Sequence, residues 1–337
     1  MQDSAVKRLG LCLLGCGAIA RRHARALRAM GRVELLFASR DAARAESFRR
    51  EFRGIAAFGS AEEACASPNV DAIVDCTPHA WHLPNAVLAA AHGKHLLIEK
   101  PVTRSVAELD VLRSAVVSAG VIAMVAENYL FKPVVTVMRE LVERGEIGRP
   151  VLLEINRTNR SVVRGWRTDA DLMGGGALLE GGVHWINYLT SLAGSEVQQV
   201  LAVKPTVPYQ PVAPHEDTLE VLVKFADGSV GKLLHSWYLK NRLKGVQLSK
   251  LYGTEGNIVF ESNGIALVVT GKRTRVRFPG LRDLMGYRAM MSHFVDCLER
   301  KTEPAMSLDV ARRDLAVVEA AYRSIESGRF EGPDLGR

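Results

Sequence analysis

The stretch Leu9-Gly10-Leu11-Cys12-Leu13-Leu14-Gly15-Cys16-Gly17-Ala18-Ile19-Ala20 decides the fold. Leu9–Leu14 reads as a strand, Gly15-Cys16-Gly17 as a tight turn, and Ala18–Met30 as an amphipathic helix that opens within the turn itself. A strand that feeds a helix through a turn with small residues at its first, third and sixth positions is the dinucleotide fingerprint. Gly15 permits the turn, Gly17 lets the backbone approach a pyrophosphate, and Ala20 lets helix and strand pack closely. The first helical residues, Ala18 and Ile19, offer free N–H groups to the anion. The same stretch, preceded by Lys7-Arg8, also has the charged-then-apolar order of a secretory leader. Gly10, Gly15 and Gly17 interrupt that apolar run, which favours the strand and turn and an expected cytoplasmic location.

Outward from this turn, short apolar runs at Val33–Ala38, Val70–Cys76, His95–Ile98 and Val121–Ala126 alternate with helical patterns at Asp41–Phe52, His82–His92 and Ser105–Ala119. Strands joined by crossover helices pack as a parallel sheet covered on both faces. After Lys132 the pattern changes. A helix at Val134–Arg144 leads through Gly148-Arg149-Pro150 into strand-like runs at Val151–Thr158, Leu219–Phe225, Gly231–Ser236, Gln247–Tyr252, Asn257–Glu261 and Ala266–Thr270, with turn signals such as Asp227-Gly228. These read as an antiparallel sheet, and helices near Gly286–Arg300 and Leu308–Ser327 close the chain. The expected class is α/β: a Rossmann domain over residues 1–128, then an α+β domain over residues 129–337.

A chain of 337 residues with 47% hydrophobic and 24% charged residues buries a large core and falls outside the disordered and fibrous classes. The net charge of +7 is spread among acidic residues, with no basic tail and no nucleic-acid signature, so small anionic ligands are favoured over nucleic acid. Five cysteines without a close Cys-x-x-Cys pair suggest a reducing compartment. No apolar run is long and uninterrupted enough to span a bilayer, so no membrane partner is expected. Asn156-Arg157-Thr158 and Asn159-Arg160-Ser161 fit the glycosylation pattern and are read as chance.

An acidic residue about twenty positions beyond the glycine turn would hold the adenosine ribose. Here the run ends Ala38-Ser39-Arg40-Asp41, so a hydroxyl and a guanidinium meet the cofactor, and they suit a 2′-phosphate. NADP(H) is favoured and NAD(H) remains open, because Arg40 would leave either usable if it stacked on adenine or pointed to solvent.

Glu99-Lys100-Pro101 ends the run His95–Ile98 at the carboxyl edge, where ligands of doubly wound sheets bind. With the glycine turn, with Thr77-Pro78 and His82, with Gly93-Lys94-His95 and with Gly174-Gly175-Gly176-Ala177-Leu178-Leu179, it resembles the glucose-fructose oxidoreductase and inositol dehydrogenase (Gfo/Idh/MocA) family over nearly the whole chain. The resemblance implies an open, mostly antiparallel second sheet, a sugar-like substrate, and a homodimer or homotetramer formed through that sheet. It implies cofactor contacts from Thr77, Pro78, His82, Glu99 and Lys100, with Lys100 also touching substrate. It places the family's acidic residue and histidine on Glu180 and His184, so that Lys100, His184 and Glu180 are the implied catalytic groups. Oxidising a carbinol requires removal of its hydroxyl proton, and a histidine, with a reference value about 6.5, suits that task. A lysine would stabilise developing alkoxide charge, and a glutamate could orient a hydroxyl or the imidazole.

Many relatives carry aspartate where this chain has Glu180 and again where it has Asn187, which can bind but not ionise. Glu127, Trp166, Arg167, Glu180, His184 and Asn187 join Lys100 as candidate substrate contacts. His79 and His82 lack an evident third ligand, so no metal is expected. The leading expectation is hydride transfer at a carbinol or carbonyl carbon of a sugar, inositol, cyclic diol or related polyol. Glycoside cleavage with a tightly bound nicotinamide and a non-catalytic NAD(P)-binding regulator are the alternatives. The proline-bearing stretch Lys204–Asp217 carries no readable motif.

Overall fold

In the computed structural model, which describes residues 8–207, 215–241 and 247–336, Leu9–Leu14 forms strand β1, with Leu11, Cys12, Leu13 and Leu14 all buried. Side chains alternate between the faces of a strand, so four successive buried residues require cover on both sides. Lys7 of the leader-like start and residues 208–214 of the proline-bearing stretch lie outside the described residues.

Two compact units emerge. The first comprises residues up to Thr103, Ala107–Ala126 and Tyr287–Leu308. It contains β1, β2 (Val33–Ala38), β3 (Ala56–Phe58), β4 (Ala72–Asp75), β5 (His95–Ile98) and β6 (Ala123–Val125). Its helices are α1 (Ala18–Met30), α2 (Ala42–Phe52), α3 (Ala61–Ala66), α4 (His82–Ala91) and α5 (Val106–Ala119), with α9 (Tyr287–Arg300) returning from late in the chain. The strands pair in parallel in the order β3-β2-β1-β4-β5-β6. This is the doubly wound order, in which the carboxyl ends of β1 and β4 flank the point where the winding reverses. Asp41 caps α2 by accepting from the Arg44 N–H at 3.1 Å, and Ser60 caps α3 by accepting from the Glu63 N–H at the same distance. Although α9 falls in the stretch assigned by sequence to the second domain, it packs in the first unit. Met290, Met291, Phe294 and Val295 are fully buried, the His23 ring meets Tyr287 edge-on at 5.6 Å, and Arg32 pairs with Asp296 and Glu299.

The second unit comprises Arg104–Val106, Glu127–Gly286 and the chain from Asp309 onward. Its eight strands are β7 (Pro150–Thr158), β8 (Val197–Val203), β9 (Thr218–Phe225), β10 (Val230–Ser236), β11 (Leu248–Gly253), β12 (Asn257–Glu261), β13 (Leu267–Thr270) and β14 (Arg275–Arg277). They lie in the order β14-β13-β12-β11-β7-β10-β9-β8, and every pair is antiparallel except β7 with β10. The helices are α6 (Pro133–Glu143), α7 (Ala170–Met173), α8 (Val183–Ala193) and α10 (Leu308–Ser327). Leu153, Ile155, Val221, Val223, Leu233 and Leu251 are buried on one face of the sheet. On the other, Leu152, Val203 and Leu248 are 37–58% exposed. That asymmetry is the alternation expected of a sheet covered on one side only.

The glycine run before α8 is a packing device. A Cβ on Gly176 would lie 2.2 Å from the Glu216 carbonyl oxygen, closer than any real contact. Burial raises the Glu216 carboxyl, which accepts from the Leu178 N–H at 2.9 Å and the Tyr322 hydroxyl at 3.1 Å. Helices α8 and α10 are joined by Asp314, which accepts from Asn187 Nδ2 at 2.7 Å and Thr190 Oγ1 at 2.8 Å.

Burial pushes the Asp314 carboxyl from 3.8 up to about 7. The folded chain therefore holds this proton more tightly than the unfolded chain, and the group's contribution to stability is lost as pH rises towards 7. Asp314→Asn removes that loss, so denaturant titrations between pH about 4 and about 7 give a flatter stability curve for the variant than for the wild type. Parallel curves would contradict the assignment.

Candidate active site

In the first unit the strand ends bring the predicted cofactor residues to one sheet edge. The Gly15 N–H donates to the Ala38 carbonyl at 2.9 Å, tying the turn after β1 to the end of β2. Gly15 has φ +92°, and a Cβ there would sit 3.0 Å from the Cys76 carbonyl, so both the conformation and the space demand glycine. Gly17 caps α1 without any side-chain hydrogen bond, and a Cβ there would meet no atom within 4 Å. The helix thus presents uncapped N–H groups into open space, beside exposed Ala18 and half-buried Ile19. Beside it lies a cavity of about 500 Å³ lined by Cys16, Gly17, Ala18, Arg21, Asp41, Arg44, Ser47 and Phe48. A pyrophosphate with its adenosine fits this donor set of helix N–H groups and guanidinium groups.

Ser39 accepts from the Asp41 N–H at 3.2 Å. Arg40 lies with its guanidinium 5.6 Å from the centre of the Trp81 ring, which is 42% exposed. Arg44 and Arg21, which the sequence reading passed over, line the same cavity. Their signal was present in position: Arg44 lies in the first turn of α2, and Arg21 follows the fingerprint directly.

Beyond β4, Thr77 donates to Asp75 Oδ1 from both its N–H, at 2.9 Å, and its hydroxyl, at 2.6 Å, and Pro78 precedes a short 3-10 turn at His79–Trp81. Burial raises the Asp75 carboxyl. After β5, Glu99 faces His23 Nε2 across 2.6 Å and accepts the Lys100 N–H at 3.2 Å, and the bond from Lys100 to Pro101 is cis. His82 departs from expectation. It is fully buried, and its ring nitrogens bond the Pro101 and Thr77 carbonyls at 2.9 and 3.0 Å, so it has no atom to offer a cofactor.

In the second unit, His184 is the second residue of α8, which follows directly on a π turn at Leu178–Gly182, the wide helical form that recurs at functional sites. The turn packs tightly on the end of β10: a Cβ on Gly181 would lie 3.1 Å from His235 Nε2. Glu180, within the π turn, is held by Arg167, whose Nε and Nη2 donate to its Oε1 at 3.0 and 2.9 Å. The Arg167 guanidinium also lies 4.4 Å from the centre of the Trp166 ring. Trp166, Arg167 and Glu180 thus form one group.

The carboxylate that bonds His184 is Glu127, 1% exposed, with Oε1 2.5 Å from Nδ1. The same Oε1 accepts the Tyr129 N–H at 3.0 Å, and the Tyr129 ring stacks on the imidazole at 4.1 Å and 10°. Lys132 lies 4.7 Å from the centre of that ring, and burial pushes its ammonium down to about 8. Sequence reasoning passed over Lys132, because a single charged residue before a helix proline carries no periodic signal. Asn187 is another departure: it is 2% exposed and its amide donates to Asp314, so it joins helices rather than facing a substrate. Among the described residues, no group of three or more His, Cys, Asp or Glu is arranged to hold a metal ion.

Comparison with known proteins agrees with both units. The family model described as "Oxidoreductase family, NAD-binding Rossmann fold" matches residues 9–127, and the one described as "GFO/IDH/MocA C-terminal domain" matches residues 135–259. A trans-1,2-dihydrobenzene-1,2-diol dehydrogenase of Mus musculus is 28% identical over 309 residues, covering 86% of this chain and 87% of its own. A myo-inositol 2-dehydrogenase of Thermotoga maritima is 25% identical over 284 residues, covering 81% and 83%. The structure of a levoglucosan dehydrogenase in complex with NADH and levoglucosan, 22% identical, superposes with a TM-score of 0.88 over 97% of this chain and 100% of that one, a likeness of fold. With its six-stranded parallel sheet, its mostly antiparallel second sheet and a match to each half, the chain belongs to the Gfo/Idh/MocA family of NAD-binding oxidoreductases.

Proposed function

We propose that this oxidoreductase transfers hydride at a carbinol or carbonyl carbon of a sugar, inositol, cyclic diol or related polyol, with His184 as the base and Lys100 as the group that stabilises charge on the reacting oxygen. The observation that carries this reading is the buried contact between Glu127 and His184 Nδ1. A carboxylate on Nδ1 fixes the tautomer and leaves Nε2 as the atom that takes up the substrate hydroxyl proton. Tyr129, stacked on the imidazole, holds the plane of the ring. Glu127 therefore orients the base, and Trp166, Arg167 and Glu180 supply polar and aromatic contacts to a polyhydroxylated substrate. The names of the relatives, a dihydrodiol dehydrogenase and an inositol dehydrogenase, support the substrate class. The nicotinamide, when bound, takes up or returns the hydride.

For the cofactor we favour NADP(H). Gly15, Gly17, Ala18 and Ile19 cradle the pyrophosphate, Thr77, Pro78 and Glu99 shape the edge beside the nicotinamide, and Ser39 and Arg40 face the adenosine ribose. Arg44, on the cavity wall, adds a second cation for a 2′-phosphate. The half-exposed apolar face bearing Leu152, Val203 and Leu248 supports pairing of copies through the second sheet.

Lys100→Met and His184→Asn each lower kcat by about a hundredfold to ten-thousandfold in nicotinamide absorbance assays, while fluorescence titration shows cofactor affinity within about twofold of wild type. Retained turnover in either variant removes that residue from the mechanism. Arg40→Ala lowers the NADPH-over-NADH affinity ratio by about tenfold to a hundredfold, and an unchanged ratio sinks the phosphate assignment. Light scattering gives a dimer or tetramer that Leu152→Glu with Leu248→Glu dissociates; a monomeric wild type would contradict the pairing.

A further inference from the structure

His23 lies on the buried face of α1, in line with Ala20, Ala24 and Leu27, and all four are fully buried. Residues three and four apart form the helix stripe that faces the core, so packing alone would fill this position with an apolar side chain. The imidazole makes one hydrogen bond there: Nε2 lies 2.6 Å from Glu99 Oε1, and Nδ1 has no partner among the described residues. A carboxylate accepts, so a single N–H on Nε2 is all that the contact requires. Tyr287, from α9, meets the ring edge-on at 5.6 Å, and the imidazole is held by packing as well as by its bond.

Glu99 is buried, and its two oxygens serve two segments of the chain. Oε1 takes the bond from His23, on α1, and Oε2 accepts the Lys100 N–H at 3.2 Å. The Glu99 backbone is anchored separately, by its own N–H, which donates to the Asp75 carbonyl at 3.0 Å. The last torsion of a glutamate side chain has a broad range, so the backbone anchor does not decide where the two oxygens point. With Oε1 held by His23, Oε2 stays on the Lys100 amide. Without that donor, a buried carboxylate turns toward whatever other donor it can reach.

We propose that His23 is a positioning residue for Lys100. Through Glu99 it fixes the backbone from which the lysine side chain projects, and it ties that backbone to the helix whose N-terminus faces the cofactor cavity. The consequence for turnover rests on the catalytic reading of Lys100 given above; the relay of hydrogen bonds does not. An error of about 1 Å in a reacting group costs roughly a hundredfold in rate, so a small shift of this backbone is enough to be read in kcat.

NMR hydrogen exchange on nitrogen-15-labelled full-length protein reads the relay without turnover, and Lys100→Arg assigns the Lys100 amide. That amide exchanges about tenfold faster in His23→Leu than in the wild type or in His23→Gln, whose side-chain amide donates where Nε2 does. Equal exchange in all three overturns the relay. If His23→Leu fails to fold, the native chain still decides: the His23 Nε2 proton gives a slowly exchanging signal that His23→Gln removes, and its absence overturns the bond. In nicotinamide absorbance assays His23→Leu lowers kcat by about tenfold to a hundredfold, and His23→Gln stays within about threefold of wild type. Added to Lys100→Met, His23→Leu costs less than about twofold more, because there is no lysine left to position. A folded His23→Leu protein with wild-type kcat, or a loss undiminished in the Lys100→Met background, overturns the positioning role. Full turnover by Lys100→Met would sink the catalytic reading of Lys100 and leave the exchange result standing.

Discussion

Parallel strands cannot be joined by tight turns, and each must be reached by a crossover that returns the chain to the same end of the sheet. In the first unit this puts the residues that follow β1, β2, β4 and β5 along one edge: Gly15, Ser39, Thr77 and Glu99 with Lys100. The rest of the cofactor site depends on that constraint. The glycine conformation at Gly15 matters because the turn must clear the Cys76 carbonyl of the neighbouring strand. Asp75 matters because it ties down the Thr77 turn. Glu99 matters because it accepts the Lys100 N–H while His23, from α1, bonds its other oxygen.

The second unit solves a different problem. One face of its sheet is buried and the other open, and the helices and turns of the unit carry polar groups that find partners within it. Glu127 with His184, Arg167 with Glu180, and Asp314 with Asn187 and Thr190 meet that need in pairs or small groups. Glu180 is the acidic residue that the resemblance singles out, yet the carboxylate on Nδ1 of His184 comes from Glu127, far away in the chain. The acidic partner of the histidine is thus supplied from a different segment.

Much of this was legible in the residues. Leu9–Leu14, Ala18–Met30, Val33–Ala38, His95–Ile98, Asn257–Glu261 and Leu308–Ser327 form the elements their periodicity predicts, because long or strongly patterned runs leave one solution. Ala56–Phe58 and Arg275–Arg277 are strands of three residues, too short to display any period. Val197–Val203 hides its alternation behind a register shift between Val197 and Gln199. The return of α9 to the first unit depends on burial of Met290, Phe294 and their neighbours, which no local pattern reveals. In the site, single side chains with familiar roles could be read from motifs. The Glu127 contact, the burial of His82 and the use of Asn187 between helices are long-range pairings, fixed only when the chain closes.

Hydride transfer between a nicotinamide and a polyhydroxylated carbinol is the chemistry to which these groups are fitted. The most direct measurement is the absorbance of reduced nicotinamide when the purified protein meets NADP or NAD with a panel of sugars, inositols, cyclic diols and other polyols, and when it meets NADPH or NADH with the corresponding ketones. The expected result is a substrate-dependent change with at least one member of that class, larger with NADP(H) than with NAD(H). Cofactor binding without any change in absorbance across the panel, in both directions, would contradict it.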